Sequence, residues 1–140
     1  MNEERVMVIT GGSTGLGLEL AKHFISNGFR LVLNYFFDKD LEQLHSNNPE
    51  LANEDKVFVF QADVANREQV KGMFDGAIEK FGRVDILMNF AGINRDAPFS
   101  EITDEMWDSV IAAHLKGHFV CGQEYIAHNP DREGLIINIG

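Results

Sequence analysis

Thr10-Gly11-Gly12-Ser13-Thr14-Gly15-Leu16-Gly17 is the stretch on which the fold of this chain turns. An apolar run, Val6-Met7-Val8-Ile9, precedes it, and a helical pattern follows. Strand, glycine-rich turn and helix, in that order, build a cradle for a diphosphate. Glycine lets the backbone turn tightly and approach a ligand where a Cβ would collide. The start of the helix then offers unpaired N–H groups and the positive end of the helix dipole to an anion. A glycine string by itself is weak evidence, and its place between strand and helix is what gives it weight.

Outward from this turn, strand and helix patterns alternate to the end of the chain. Residues 15–27 read as a helix with Leu16, Leu20 and Phe24 on one face and Gly28 as its stop. Residues 30–35 are nearly all apolar, as expected of a parallel strand covered on both faces. A short helix over 38–45, a polar loop over 46–55 and a strand over 57–61 follow. The next helix starts at Asn66 as cap, with Gln69 in the capping-box position. Its apolar stripe is Val70, Met73, Phe74, Ala77, Ile78 and Phe81, and Gly82 closes it. Residues 85–89 form a fourth strand and 92–99 an irregular segment. Thr103 caps a long helix whose first turn carries Asp104 and Glu105. That helix runs through Trp107, Val110, Ile111, Leu115 and Phe119 toward His128. A turn over 129–133 leads to a fifth strand over 135–139. The alternation predicts an α/β fold: a doubly wound parallel sheet with helices on both faces. Ligands then bind beyond the carboxyl ends of the strands. The glycine turn, Asp63 and the run from Asn89 to Gly92 all fall at such ends.

The totals fit one domain over residues 1–140. Hydrophobic residues make up 44% and charged residues 24%, ordinary proportions for a globular chain. A net charge of −10 argues against nucleic acid and anionic membrane surfaces, which need basic patches. Cys121 is the single cysteine, so no disulfide forms within the chain, and a cytoplasmic compartment is expected. Met1 to Arg5 lead straight into the first strand with no leader, and no apolar run is long enough to span a bilayer.

In this context the chain resembles a short-chain dehydrogenase/reductase. Thr10, Gly11, Gly15 and Gly17 match T-G-x-x-x-G-x-G, and Ala62-Asp63-Val64 matches the A-D-V element after the third strand. Asn89-Phe90-Ala91-Gly92 meets N-N-A-G with one departure, at Phe90. Gly92-Ile93-Asn94-Arg95-Asp96 and Trp107-Asp108 are similar to segments of 3-oxoacyl-carrier-protein reductases and 3-hydroxyacyl-CoA dehydrogenases. His114-Leu115-Lys116-Gly117 falls where many members read N-L-x-G, and Ile136-Ile137-Asn138-Ile139 matches the fifth strand. The resemblance implies a Rossmann-type domain truncated after the fifth strand. Its expected activity is hydride transfer between a nicotinamide dinucleotide and a small carbonyl or alcohol substrate.

It also implies which residues hold the dinucleotide. They are Gly11, Ser13, Thr14, Gly15, Leu16 and Gly17 of the turn, Asn34 at the end of the second strand, Asp63 and Val64, and Asn89, Ala91 and Gly92. The resemblance gives Asp63 a contact to the adenine; alternatively it caps a local turn. Cofactor choice rests on Asn34-Tyr35-Phe36-Phe37, where no acid precedes Asp38. An acid there would accept from the ribose hydroxyls and favour NAD, so NADP is the expected cofactor and NAD the alternative. Thr14 and Phe36 stand where a basic residue for the 2′-phosphate often lies.

The family's catalytic serine, tyrosine and lysine are due at or after the end of this chain, and Tyr35 and Tyr125 lie in other elements. His114 occupies the active-site asparagine position and is the one candidate catalytic residue; alternatively it is a packed helix histidine. His114 and His118 stand four apart, a spacing that can clasp zinc, but no glutamate adjoins the first as in a zincin, and no metal is expected. Cys121, Met106 and Trp107 fit core or interface positions. The expectation is thus a catalytically incomplete N-terminal portion of an oxidoreductase. A non-catalytic nucleotide-binding module or an interaction subunit is the alternative, and a methyltransferase is disfavoured because no acidic strand end precedes the turn. The unpaired edge of the fifth strand predicts a homo-oligomer.

Overall fold

The computed structural model describes residues 4–140, so Met1 to Glu3, the first part of the expected leaderless start, lie outside the described residues. Five parallel strands form one sheet: β1 (Val6–Thr10), β2 (Arg30–Tyr35), β3 (Val57–Gln61), β4 (Ile86–Asn89) and β5 (Leu135–Asn138). Their spatial order is β3-β2-β1-β4-β5. The chain moves outward from β1 in one direction, returns, and moves outward in the other. The reversal opens a crevice between the carboxyl ends of β1 and β4.

The side-chain alternation of β1 divides the core in two. Val6 and Val8 face α3 (Arg67–Phe81) and α5 (Gly117–Ala127), packing with Met73, Phe74, Ala77, Val120 and Cys121. Met7 and Ile9 face α1 (Gly15–Ser26) and α2 (Asp38–Asn47), packing with Ala21, Leu44 and Leu51. All five residues of β1 are buried, the burial pattern of a central strand. Phe74 is the largest fully buried side chain, so truncating it to alanine would cost about 3–5 kcal/mol.

Helix α3 forms where its pattern predicts. Asn66 Oδ1 accepts from Gln69 N at 3.2 Å, and Gly82 ends the helix in the left-handed conformation at φ 75°. The reciprocal half of the capping box is redirected: Gln69 Oε1 accepts from Asp63 N at 2.7 Å, which ties the helix start to the chain leaving β3. Thr103 caps α4 (Asp104–Ile111) by accepting from Met106 N at 3.2 Å.

Several expectations need correction. The face Leu16-Leu20-Phe24 does not hold: Leu20 and Phe24 pack on the core, but Leu16 is 64% exposed at the sheet edge. In the first turn the buried position belongs to Gly17, pressed onto the preceding loop. Residues 46–55 are not all loop, because α2 extends to Asn47 and a 3-10 turn, Pro49–Leu51, seats Leu51 in the core. The long helix after Thr103 is interrupted by a π-helical turn, Ala112–Lys116, between α4 and α5. The strand ends also shift: β4 starts at Ile86, one residue late, just after Asp85, whose carboxylate accepts from Val6 N at 2.8 Å and pairs with Arg83.

Candidate dinucleotide site

The carboxyl ends of the strands open onto a cleft of about 640 Å³. Gly11, Ser13, Thr14, Leu16 and Gly17 line its floor. One wall is Asn34 to Phe37 with Ala62 to Val64, and the opposite wall is Phe90 to Ile93.

The floor requires glycine at two positions. Gly11 has φ 65°, and a Cβ there would stand 2.9 Å from Ala91 Cα. A Cβ on Gly17 would overlap the Gly11 carbonyl. The loop therefore folds tightly under the start of α1. Thr14 precedes that helix with extended dihedrals, its side chain makes no capping hydrogen bond, and the first turn carries no acid. Among the described residues no side chain accepts from the leading N–H groups of α1, and Thr14, Leu16 and Gly17 line the cleft. Backbone of this shape, with a positive dipole end, fits a diphosphate.

Three buried polar side chains hold the floor in place. Asn34 is 2% exposed. Its Oδ1 accepts from Gly11 N at 3.1 Å and its Nδ2 donates to Ala62 O at 2.9 Å and to Tyr35 O at 3.2 Å. It joins three cleft-lining segments, and its amide has little capacity left for a ligand. Thr10 Oγ1 accepts from Phe90 N and Ala91 N, at 3.0 and 3.1 Å, and so fixes the end of β4 against the glycine turn. The Phe90 ring packs on the α1 side of the sheet, so this backbone is held without an amide side chain there. Asn89 is fully buried beneath the cleft rather than lining it. Its Nδ2 donates to Asn138 Oδ1 at 2.8 Å, while its own Oδ1 has no hydrogen-bond partner.

Asp63 makes the local turn weighed for it and stands at the cleft. Its Oδ1 accepts from Ala65 N at 2.9 Å, closing a turn, and the residue also lines the cleft. Val64 turns its side chain into the core against Gly117 while the residue borders the cleft. Ala91 and Gly92 line the opposite wall, and Gly15, with φ 54°, starts α1 just outside the lining.

His114 sits in the π-helical turn, behind the wall rather than in the cleft. Its Nε2 lies 3.1 Å from Ile93 N and 3.0 Å from Ile93 O, and its ring fills the space a Cβ on Gly92 would need. Histidine and backbone are thus locked together, and the ring positions the 92–93 segment. His118 Nε2 is buried without a partner, and burial with the nearby His114 pushes its pKa down. Among the described residues no group of three or more His, Cys, Asp or Glu is placed to hold a metal ion. Tyr125 donates its hydroxyl to Asp85 O at 2.7 Å, away from the cleft, and is a packing residue. Tyr35 and Lys39 do have the spacing Y-x-x-x-K. The tyrosine ends β2 and the lysine lies in the first turn of α2, so they are not a pair one turn apart on a helix.

The profile of the short chain dehydrogenase family matches residues 5–140. The chain belongs to that family. A hydroxy(phenyl)methylsuccinyl-CoA dehydrogenase subunit from Thauera aromatica is 35% identical over 98% of this chain and 55% of its own length. A 3-oxoacyl-(acyl-carrier-protein) reductase from Staphylococcus epidermidis is 33% identical over 94% of this chain and 54% of its own. The crystal structure of a short chain dehydrogenase from Bacillus anthracis superposes with a TM-score of 0.85 at 33% identity, over 97% of this chain and 56% of that one. The chain thus spans about half the length of the relatives it matches.

Lys39, Asp40, Arg95, Ser109 and Ala113 are among the cleft residues that sequence patterns did not assign. Lys39 and Arg95 are the cations of the lining, and neither has a carboxylate partner among the described residues. Lys39 was within reach of inference, since the first turn of the helix after β2 must border the crevice. Ser109 and Ala113 depend on how α4 and the π-helical turn approach the sheet, which no local pattern records.

Proposed function

We propose that this chain is the dinucleotide-holding portion of an NADP-dependent oxidoreductase. It would serve the reduction of a carbonyl, with a 3-oxoacyl thioester as the favoured class, or the reverse oxidation of the alcohol. The carrying observation is the uncapped start of α1 above Gly11 and Gly17, a backbone cradle that has donors but no side-chain acceptor. The cofactor, when bound, supplies the hydride, and the protein binds and orients it. In this reading Ser13 to Gly17 hold the diphosphate and Asp63 with Val64 borders the adenine. Ala91 and Gly92, braced by Thr10 and His114, border the nicotinamide end. The thioester class is favoured by the resemblance of residues 92–96 and by the acyl-carrier and CoA substrates in the names of two relatives.

His114 is proposed as a positioning residue. Catalysis in the family also needs the serine, tyrosine and lysine, and neither Tyr35 nor Tyr125 is placed for that work. The 140-residue chain is therefore expected to bind dinucleotide and show no turnover. A spectrophotometric assay of NADPH oxidation with a 3-oxoacyl thioester tests this. Steady turnover by the purified chain would contradict it.

A further inference from the structure

We infer that His118 and Asn89 hold one internal water between α5 and the end of β4, and that this tie sets the height of the His114 turn behind the cleft wall. His118 is thereby a positioning residue, and the inference stands whichever ligand the cleft takes.

The two residues share a layer. Leu87 packs with α3 and α5, so Asn89, which follows it by two on β4, points to the same side, while Met88 between them points to the other. On α5, His118 precedes Tyr125 by about two helical turns, which puts both on the face that meets the sheet. They also share a height. The run from His114 to Tyr125 descends antiparallel to β4. His114 meets Ile93 beyond the carboxyl end of that strand, and the Tyr125 hydroxyl meets Asp85 O, just before its first residue, at 2.7 Å. From Tyr125 back to His118 the helix climbs about 10 Å, or about three residues of strand counted up from Asp85. That is the end of β4, where Asn89 is the polar residue on the α5 side.

Each side chain brings a buried polar atom without a partner. Asn89 is fully buried, and its Oδ1 accepts no hydrogen bond from the described residues. His118 Nε2 is buried and equally unpaired, and burial favours the neutral ring. Two such atoms in one layer are costly, and they do not bond each other. One water answers both: it accepts from His118 Nε2–H and donates to Asn89 Oδ1. Asn138 Nδ2 is the available third donor, since its Oδ1 already accepts from Asn89 and the Nδ2 makes no bond among the described residues. Fixing His118 fixes the cleft wall as well. It follows directly on the π-helical turn Ala112–Lys116, where His114 braces Gly92 and Ile93.

The test uses the 140-residue chain without ligand. In wild type, nuclear Overhauser contacts should join a long-lived water to the His118 ring and to the Asn89 side-chain amide. His118→Leu should remove them and speed hydrogen exchange of the Ile93 amide about tenfold, the loss of one polar tie. The Gln69 amide at the start of α3 should be unchanged. His118→Gln, whose amide can still bond a water, should hold Ile93 exchange within about twofold of wild type. A wild-type His118 ring and Asn89 amide without contact to a long-lived water would overturn the inference, whether or not the variants fold. So would equal acceleration of Ile93 and Gln69 in His118→Leu, the mark of a role in bulk stability alone. Failure of a folded His118→Gln to restore Ile93 protection would overturn it too.

Discussion

The starts of α1 and α3 lie at the same edge of the sheet and are built in opposite ways. At α3, Asn66 caps the helix, Glu68 stands in the first turn, and Gln69 reaches back to Asp63 N. At α1, Thr14 makes no capping bond and no acid follows. One helix start is satisfied from within the chain. The other keeps donors and a positive dipole end open over a tight glycine floor. A capping side chain at a helix start is worth about 1 kcal/mol. Under the proposed function, an external anion takes that role at α1.

The strongest way to break this contrast is to fill the floor. Gly17→Val should destabilise the chain by about 3 kcal/mol or more and abolish dinucleotide binding, because the new side chain would overlap the Gly11 carbonyl. Chemical denaturation and NADPH titration measure both effects. A sharper change makes α1 resemble α3. Thr14→Asp adds a cap and a favourable acid, so stability should rise by about 0.5–1 kcal/mol, while NADPH binding should weaken at least about tenfold through charge repulsion. Stability and binding moving in opposite directions is the outcome that distinguishes a cradle from an ordinary helix start. The converse change is Asn66→Ala, expected to cost about 1 kcal/mol with NADPH affinity unchanged.

The smallest effect lies on the α3–α5 side. Asp75 accepts from Lys71 at 2.7 Å and pairs with His128 at 2.9 Å, and these bonds hold its carboxyl below its ordinary value of 3.8. Its contribution is complete above that value and fades as pH falls through the lower folded-state pKa. Because Asp75 is exposed, the effect is small. Melting temperature between pH 7 and pH 3 should fall slightly less in Asp75→Asn than in wild type.

Local signals made much of this molecule legible in the sequence. The cap at Asn66, the stop at Gly82 and the stripe from Val70 to Phe81 are set within one helix, and the structure bears them out. The glycine turn was legible for the same reason. The rest depends on contacts between distant segments. The π-helical turn arises where His114 fits against Gly92 and Gly117 admits the Val64 side chain, pairings that no period reveals. Asn34 and Asn89 stood at the right strand ends for ligand contacts. The Asn34 amide also bonds Gly11, Ala62 and Tyr35, and the Asn89 Nδ2 bonds Asn138, partners that only the assembled sheet shows. Leu16 fits a helical stripe on paper, yet it comes before the helix has reached the core.

A titration of the 15N-labelled chain with NADPH, followed through its backbone amide resonances, tests the contrast most directly. The largest shifts should fall on the amides of Ser13 to Gly17, with the amides of residues 67–69 and 104–106 unmoved. Shifts spread equally over all three helix starts, or none at Ser13 to Gly17 while the chain binds NADPH, would contradict the assignment of α1 as the diphosphate cradle.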